Sequence, residues 1–92
     1  MSLTFHVEKP KVLNDTFVKL KQLLAEKDCS LEGDEANGRI VWSDGVEGIY
    51  HVKANSIEIT IQKNPFKIKK PVELYIRWVF RKIVREIDSY EL

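Results

Sequence analysis

The sequence places four basic residues and two large apolar ones on what would be one face of a helix near the end of the chain. They are Leu74, Arg77, Trp78, Arg81, Lys82 and Arg85. Guanidinium groups bind carboxylates and phosphates through paired hydrogen bonds, and Trp and Arg are preferred anchors of protein interfaces. These residue types therefore indicate binding, either to an anion or to another protein surface.

The other face of the same segment is apolar. At about 100° per residue, six side chains fall on one arc: Val72, Ile76, Val79, Phe80, Ile83 and Ile87. If this arc faces the core, Trp78 and Leu74 lie in the middle of the basic arc, where a monomer has no obvious reason to expose them. We therefore expect another subunit, an anionic ligand or an anionic surface to cover them.

Self-association or binding of a protein partner is the interpretation that the sequence favours, with a homodimer as the simplest form. A symmetric dimer that pairs this helix with its own copy buries Trp78 and Leu74 but brings the arginines of both copies together. The region from Glu26 to Glu58 holds eight acidic residues against three basic ones, whereas Lys63 to Arg85 holds eight basic residues against one acidic residue, Glu73. The acidic region of a partner can supply the missing carboxylates, so the helix is expected to dock there or on its own copy.

Nucleic-acid or anionic-surface binding is the alternative interpretation of the basic segment 63–85. Six basic residues could contact phosphates: Lys67, Lys69, Lys70, Arg77, Arg81 and Arg85. Neutralising about four or five phosphates gives binding that weakens strongly as salt rises. The net charge of only +1 and the lack of a nucleic-acid-binding motif weigh against it. So do two local ion pairs that helical spacing predicts, Glu73–Arg77 and Lys82–Glu86.

Residues that could ligate a metal or act as nucleophiles are few and scattered. His6, His51 and Cys29 are the strongest candidate ligands, and no two of them stand at a metal-binding spacing. Asp34 and Glu35 form a pair of carboxylates, but in a polar loop rather than in an apolar pocket that would shift a pKa. We therefore predict no catalytic residue, no metal and no cofactor, and a protein that is not an enzyme.

Length and composition fit one small globular domain over residues 1–92. The chain is 43% hydrophobic and 32% charged, which favours a folded core with a well-solvated surface. Its one cysteine cannot form an intramolecular disulfide, and its first residues are too few and too polar for a signal peptide. No apolar run approaches the length of a membrane span. A soluble cytoplasmic protein is expected.

Alternation and turn residues predict five strands and two helices. The predicted elements are a strand over 3–7, a helix capped by Asn14 or Asp15 that runs to about Lys27, strands over 29–32, 39–43, 46–53 and 56–63, and a helix with Pro71 at its first position. Residues 33–38 are predicted to be an acidic loop, and 64–70 a linker whose Phe66 and Ile68 reach the core. Glu73 is expected to stabilise the N-terminus of the last helix.

The turn at 43–45 decides the register of the hairpin around it. A two-residue turn pairs Ile40 with Ile49, whereas a three-residue turn with its glycine in the left-handed region pairs Ile40 with Gly48. The second register is preferred because it leaves only Val41 and Ile49 off the apolar face. That face then comprises Ile40, Trp42, Val46, Tyr50, Val52, Ile57, Ile59 and Ile61.

The order β-α-β-β-β-β-α predicts a two-layer α+β sandwich, in which two helices cover one face of an antiparallel, mostly meander sheet. The opposite sheet face would be mostly polar and would carry both histidines, while Cys29 would be a small core residue. Gly48 would leave room for a bulky neighbour or for a bend in the sheet, and Asn55 can accept a positive φ in the hairpin at 53–56.

Motifs of turn and core residues follow one another along most of the chain. They are the opening strand with His6, Pro10 before a helix, Asp44-Gly45-Val46-Glu47-Gly48, Ala54-Asn55-Ser56-Ile57-Glu58, and a helix that starts near Pro71-Val72-Glu73. In these features the chain resembles the small family of polyhydroxyalkanoic acid system proteins, which are linked to storage granules and have no assigned function. The resemblance implies a non-catalytic cytoplasmic protein and makes a granule one possible anionic surface. The basic linker 64–70 and the Arg and Trp face of the last helix depart from the family pattern.

Overall fold

Five strands and two helices follow one another in the predicted order, β-α-β-β-β-β-α. The computed structural model describes residues 3–11, 13–65 and 69–90, with side chains for all of these except 13–15, 69–71 and 90. The elements are β1 (Leu3–Val7), α1 (Leu13–Ala25), β2 (Cys29–Gly33), β3 (Asn37–Trp42), β4 (Glu47–Val52), β5 (Ile57–Lys63) and α2 (Lys69–Tyr90). The predicted α+β class is confirmed.

The strands form one antiparallel sheet in the order β1-β5-β4-β3-β2. Strands β2 to β5 are a continuous meander, and β1 pairs with β5, with Phe5 opposite Ile59. α1 packs against β2, α2 packs against β1, and the two helices pack against each other. The backbone N–H of Lys11 donates to the carboxylate of Asp88 at 3.1 Å, so the end of α2 lies beside the start of α1.

The core lies between the sheet and the two helices. Its strand residues alternate along one sheet face: Phe5, Val7, Cys29, Leu31, Ile40, Trp42, Tyr50, Ile57, Ile59 and Ile61. The apolar arc predicted for α2 is buried at Ile76, Val79, Phe80, Ile83 and Ile87, with Val72 partly buried. Val84 is buried as well, because it lies one turn beyond Phe80 on the same side of the helix.

The turn at 43–45 has the three-residue form that the sequence favoured. Ile40 pairs with Gly48, and the Trp42 N–H donates to the Val46 carbonyl at 2.8 Å. Gly45 has a φ of 100°, a backbone conformation that residues with a Cβ adopt only with strain. This register confirms the predicted apolar face.

Gly48 lies where β4 meets a bulge in β5. The register shifts at this point, so that Glu47 pairs with Lys63 but Gly48 pairs with Ile61. A Cβ on Gly48 would collide with the carbonyl oxygen of Thr60 and would lie 3.0 Å from the Cα of Ile61. The irregularity that the sequence allowed at this glycine is therefore present, and it leaves no space for a side chain.

Both helices begin earlier than predicted. α1 begins one residue before Asn14, which places Asn14 and Asp15 inside its first turn rather than at the N-cap. α2 begins two residues before Pro71, where proline is tolerated because the first N–H groups of a helix have no intrahelical acceptor. Glu73 consequently lies beyond the first turn, so its predicted role at the helix N-terminus is wrong.

The end of α1 also differs from the prediction, because the helix stops two residues before Lys27. The N–H groups of Lys27 and Asp28 donate to carbonyls three residues earlier, which tightens the last turn. Asp28 has a φ of 62° and is the only non-glycine residue of the described segments with a positive φ, so Asn55 does not adopt one. Phe66 and Ile68, which were predicted to reach the core, lie outside the described residues.

The outer sheet face is mostly polar, as predicted. Glu47 forms an ion pair with Arg39, and Lys63 approaches its second oxygen at 3.7 Å. The hydrogen bond from Arg39 holds the pKa of the Glu47 carboxyl below its usual range. Val41 and Ile49 are half-buried between these polar groups.

Candidate interaction surface

The outer face of α2 carries three large apolar or aromatic side chains close together. Leu74, Tyr75 and Trp78 are 56%, 48% and 51% exposed, and we call these three residues the aromatic patch. As predicted, Leu74 and Trp78 lie on the side of the helix away from the core. Large apolar groups gathered on one exposed face are uncommon in monomers, which makes this face a candidate binding surface.

Contacts within α2 give the aromatic patch a defined shape. The ring centroids of Tyr75 and Trp78 lie 6.4 Å apart, and the rings are inclined by 31°. The Lys82 ammonium group lies 5.0 Å from the Trp78 centroid, within the range of a cation–π contact. The predicted ion pair of Lys82 with Glu86 does not form, since Lys82 packs on Trp78 instead. One positive charge therefore lies directly beside the aromatic surface.

Arg77 and Arg81 lie on the side of α2 that faces β1. Arg77 forms the predicted ion pair with Glu73 at 3.2 Å, and its guanidinium group lies 5.8 Å from the centroid of the Phe5 ring. Arg81 lies 3.4 Å from a carboxylate oxygen of Glu8. Both guanidinium groups thus have carboxylate partners within the chain, and the aromatic patch is not ringed by free arginines as the sequence suggested.

Lys82 and Arg85 form no ion pair with any residue that the structure describes. Among the described residues, no carboxylate neutralises the charge of Lys82 beside Trp78 or that of Arg85, which lies two turns beyond Trp78 on α2. Lys69 and Lys70 belong to the first turn of α2, but their side chains are not described, and Lys67 lies outside the described residues. Of the basic residues predicted for binding, Lys82 and Arg85 are therefore the two that the structure leaves available.

Two carboxylates lie at the tip of the hairpin that joins β2 and β3. This acidic tip comprises residues 34–36, and it is shorter than the predicted loop because the strands extend to Gly33 and from Asn37. Asp34 accepts hydrogen bonds from the backbone N–H groups of Asn37 at 3.0 Å and Ala36 at 2.8 Å. These bonds, that from Asn37 first, lower the pKa of Asp34, so its carboxylate is charged at neutral pH. Glu35 is exposed and pairs with no basic residue in the described part of the chain.

The side chain of Tyr50 holds the acidic tip in place. Its hydroxyl donates to the carbonyl of Asp34 at 2.8 Å. Gly33 and Gly38 pair across the hairpin, and a Cβ on Gly38 would lie 2.7 Å from the Tyr50 hydroxyl oxygen. The two glycines therefore leave the space that the Tyr50 hydroxyl group occupies. Burial, and then the charges of Asp34 and Glu35, raise the pKa of Tyr50 to about 12.

Stability should fall between about pH 10 and about pH 12 because of Tyr50. An unfolded tyrosine ionises near pH 10, whereas Tyr50 in the folded chain ionises at about pH 12. Its stabilising contribution is therefore complete below pH 10 and is lost as the pH rises through 12. Tyr50→Phe should be less stable than wild type at pH 8, by about 1 kcal/mol, and urea unfolding should show this difference shrink and then vanish between about pH 10 and about pH 12. A difference that stays constant with pH would contradict this assignment.

Of the remaining residues that could support chemistry, Cys29 lies in the core, whereas His6 and His51 lie opposite Glu58 on the two strands that flank β5. Cys29 is buried, and burial raises the pKa of its thiol far above the ordinary range. His6 and His51 lie on the outer sheet face, where His6 Nδ1 is 3.0 Å from the Ser56 hydroxyl and its Nε2 is 3.7 Å from Glu58. No group of three His, Cys, Asp or Glu side chains among the described residues is arranged to hold a metal ion.

Sequence reasoning missed Tyr75, the third member of the aromatic patch. Its position three residues before Trp78 could have identified it, because side chains at this spacing contact each other on a helix. The acidic tip was recognised only as a pair of carboxylates in a loop. Its fixed geometry depends on Tyr50, which lies 16 residues further along the chain.

Comparisons with known proteins found nothing similar to this chain. The scan against protein-family models found no matching family, and the searches of curated proteins and of solved structures found no match. The resemblance to polyhydroxyalkanoic acid system proteins therefore stays a prediction. Neither helix of the described residues is long and apolar enough to cross a membrane.

Proposed function

We propose that this is a non-enzymatic cytoplasmic protein that self-associates through the outer face of α2. The single observation that supports this most strongly is the aromatic patch, in which Leu74, Tyr75 and Trp78 are about half exposed. Burial of aromatic side chains at the centre of an interface supplies most of the binding free energy in protein complexes. A free cysteine is also common in reducing compartments such as the cytoplasm.

The charges around the aromatic patch favour a protein partner over a polyanion. Binding to phosphates requires several cations that are free to exchange their counterions. Arg77 and Arg81 already lie beside Glu73 and Glu8, so their net contribution to the local potential is small. A protein surface with one or two carboxylates matches the remaining charges of Lys82 and Arg85.

Trp78→Asp should abolish self-association. The substitution removes the largest ring of the aromatic patch and places a charge where the partner would have to desolvate it. Sedimentation equilibrium of wild type and variant from about 5 to 500 μM would measure the association constant, which should fall at least about 100-fold. A wild type that remains monomeric across this range would refute the proposal.

Val18→Asp provides the matched control. Val18 is an apolar residue on the outer face of α1 and is 67% exposed, more than any member of the aromatic patch. The same change in polarity there should leave the association constant within about twofold, since Val18 lies on the other helix. Loss of association in both variants would mean that the interface is not specific to α2.

Binding of nucleic acid or another anionic surface is the alternative function. It is favoured by Lys82 and Arg85, which have no ion-pair partner among the described residues, and by the lysines at 67, 69 and 70. It predicts that a short DNA duplex, or vesicles with anionic lipid, bind at about 50 mM salt and are released at about 200 mM. Absence of binding at the lower salt concentration would eliminate this alternative.

A further inference from the structure

The outer face of α2 is poorly suited to contact its own copy. A parallel pairing of two α2 helices through Trp78 would place Lys82 and Arg85 of one chain opposite the same residues of the other. An antiparallel pairing centred on Trp78 would place Lys82 opposite Leu74, where no carboxylate meets its charge. Like charges placed opposite each other in an interface cost several kcal/mol, because they repel and are also desolvated. A stable contact therefore needs carboxylates from the opposing surface.

The acidic tip supplies two such carboxylates. Asp34 is held by two backbone N–H groups, and its lowered pKa keeps it ionised. Tyr50 fixes the backbone of the tip through the Asp34 carbonyl, so little conformational entropy remains to be lost on binding. Glu35 has no ion-pair partner among the described residues and is free to pair with an incoming cation.

The acidic tip also offers a small apolar surface next to its charges. Ala36 is exposed, and its carbonyl accepts the N–H of Val52 at 2.8 Å, which places the half-buried Val52 beside the tip. A flat aromatic ring can cover such a surface without displacing a bulky side chain. Small apolar groups flanked by carboxylates complement an aromatic ring flanked by Lys82 and Arg85.

A second acidic group lies at the opposite end of the sheet and is a weaker match. Glu26, Asp28 and Asp44 occupy two neighbouring turns, which are joined by a hydrogen bond from the Ser43 N–H to the Asp28 carbonyl at 3.0 Å. No hydrogen bond or ion pair that the structure describes fixes any of these three carboxylates. Lys27 also places a positive charge between two of them in the sequence.

We propose that the aromatic patch of one copy binds the acidic tip of a second copy, with Lys82 and Arg85 pairing with Asp34 and Glu35. This inference rests on the proposed self-association and names the surface that takes part in it. The two surfaces differ, so the contact joins unlike parts of two identical chains.

Charge reversal tests this contact. Glu35→Lys and Arg85→Glu should each raise the dissociation constant at least about tenfold, since each leaves two like charges facing each other. The double variant Glu35→Lys with Arg85→Glu should recover the wild-type value within about threefold, because the reversed charges attract again. An equimolar mixture of the two single variants should likewise associate more tightly than either variant alone.

Asp44→Lys is the control, because it changes the net charge as Glu35→Lys does but lies at the other acidic end. Its dissociation constant should stay within about twofold of wild type, and circular dichroism should show all variants folded. Loss of association by Trp78→Asp but not by Glu35→Lys would overturn this inference and leave the proposed function standing. An Asp44→Lys effect as large as that of Glu35→Lys would also overturn it, whereas a monomeric wild type would refute the proposed function itself.

Discussion

Replacing Gly48 by alanine is expected to lower the free energy of unfolding by about 3 kcal/mol or more. The added Cβ would collide with the carbonyl oxygen of Thr60 and would lie 3.0 Å from the Cα of Ile61. Both are backbone atoms of the neighbouring strand, so neither can turn aside as a flexible side chain could. The central strands β4 and β5 would have to separate or lose the bulge. Urea unfolding followed by tryptophan fluorescence measures the loss.

Gly45→Ala is the matched control for Gly48→Ala. Gly45 has a φ of 100°, and the nearest atom to an added Cβ is the Pro65 Cγ at 3.4 Å, an ordinary contact distance. The expected cost of this substitution is the strain of placing a Cβ on a residue with a left-handed φ, which is about 1 to 2 kcal/mol. Gly45→Ala should therefore be the more stable of the two variants, and the opposite order would contradict the steric explanation for Gly48.

Phe80→Ala is expected to lower the free energy of unfolding by about 3 to 5 kcal/mol. Phe80 is 1% exposed and lies in the core that joins α2 to the sheet, so truncation leaves a cavity that the rigid strands cannot close. Thermal and urea unfolding should both report the loss. Low protein concentration is needed, because self-association would add to the apparent stability.

Trp78→Ala tests whether the outer face of α2 contributes less to stability than its buried face does. Trp78 lies two residues before Phe80 and is 51% exposed, so its truncation should change the free energy of unfolding by less than about 1 kcal/mol. Under the proposed function, self-association should nevertheless weaken, because the exposed ring would then be part of the interface. A loss of stability comparable with that of Phe80→Ala would show that Trp78 belongs to the fold, and it would contradict its assignment to partner binding.

The sheet could be predicted from the sequence because the residue patterns that determine its strands and turns are local. Alternation identified the strands, and one turn at 43–45 fixed the register of the hairpin around it once the apolar side chains were required to share a face. Ile40 opposite Gly48 follows directly from that requirement. The helix ends were predicted less well, since backbone hydrogen bonds rather than side-chain pattern decide where the last turn of α1 tightens.

The candidate site was predicted in part, because its charges depend on contacts between distant residues. Arg81 was placed correctly on the outer face of α2, but its partner Glu8 comes from the first tenth of the chain, and no spacing rule connects them. Glu73 and Arg77 are four residues apart, so their pair was predictable. The acidic tip could not be recognised from sequence, since Tyr50 must first be placed beneath Gly33 and Gly38 by the fold.

Arg77 and Arg81 also lie near an edge strand of the sheet, β1. Among the residues that the structure describes, β1 is an edge strand of an open sheet, and such strands can recruit other chains into aggregates. Arg77 lies 5.8 Å from the centroid of the Phe5 ring in β1, and Arg81 lies 3.4 Å from Glu8, which follows β1 in the chain. Two anchored guanidinium groups there would have to be desolvated before another strand could add. We therefore expect these two charges to oppose edge-to-edge aggregation on the side of α2 next to the aromatic patch.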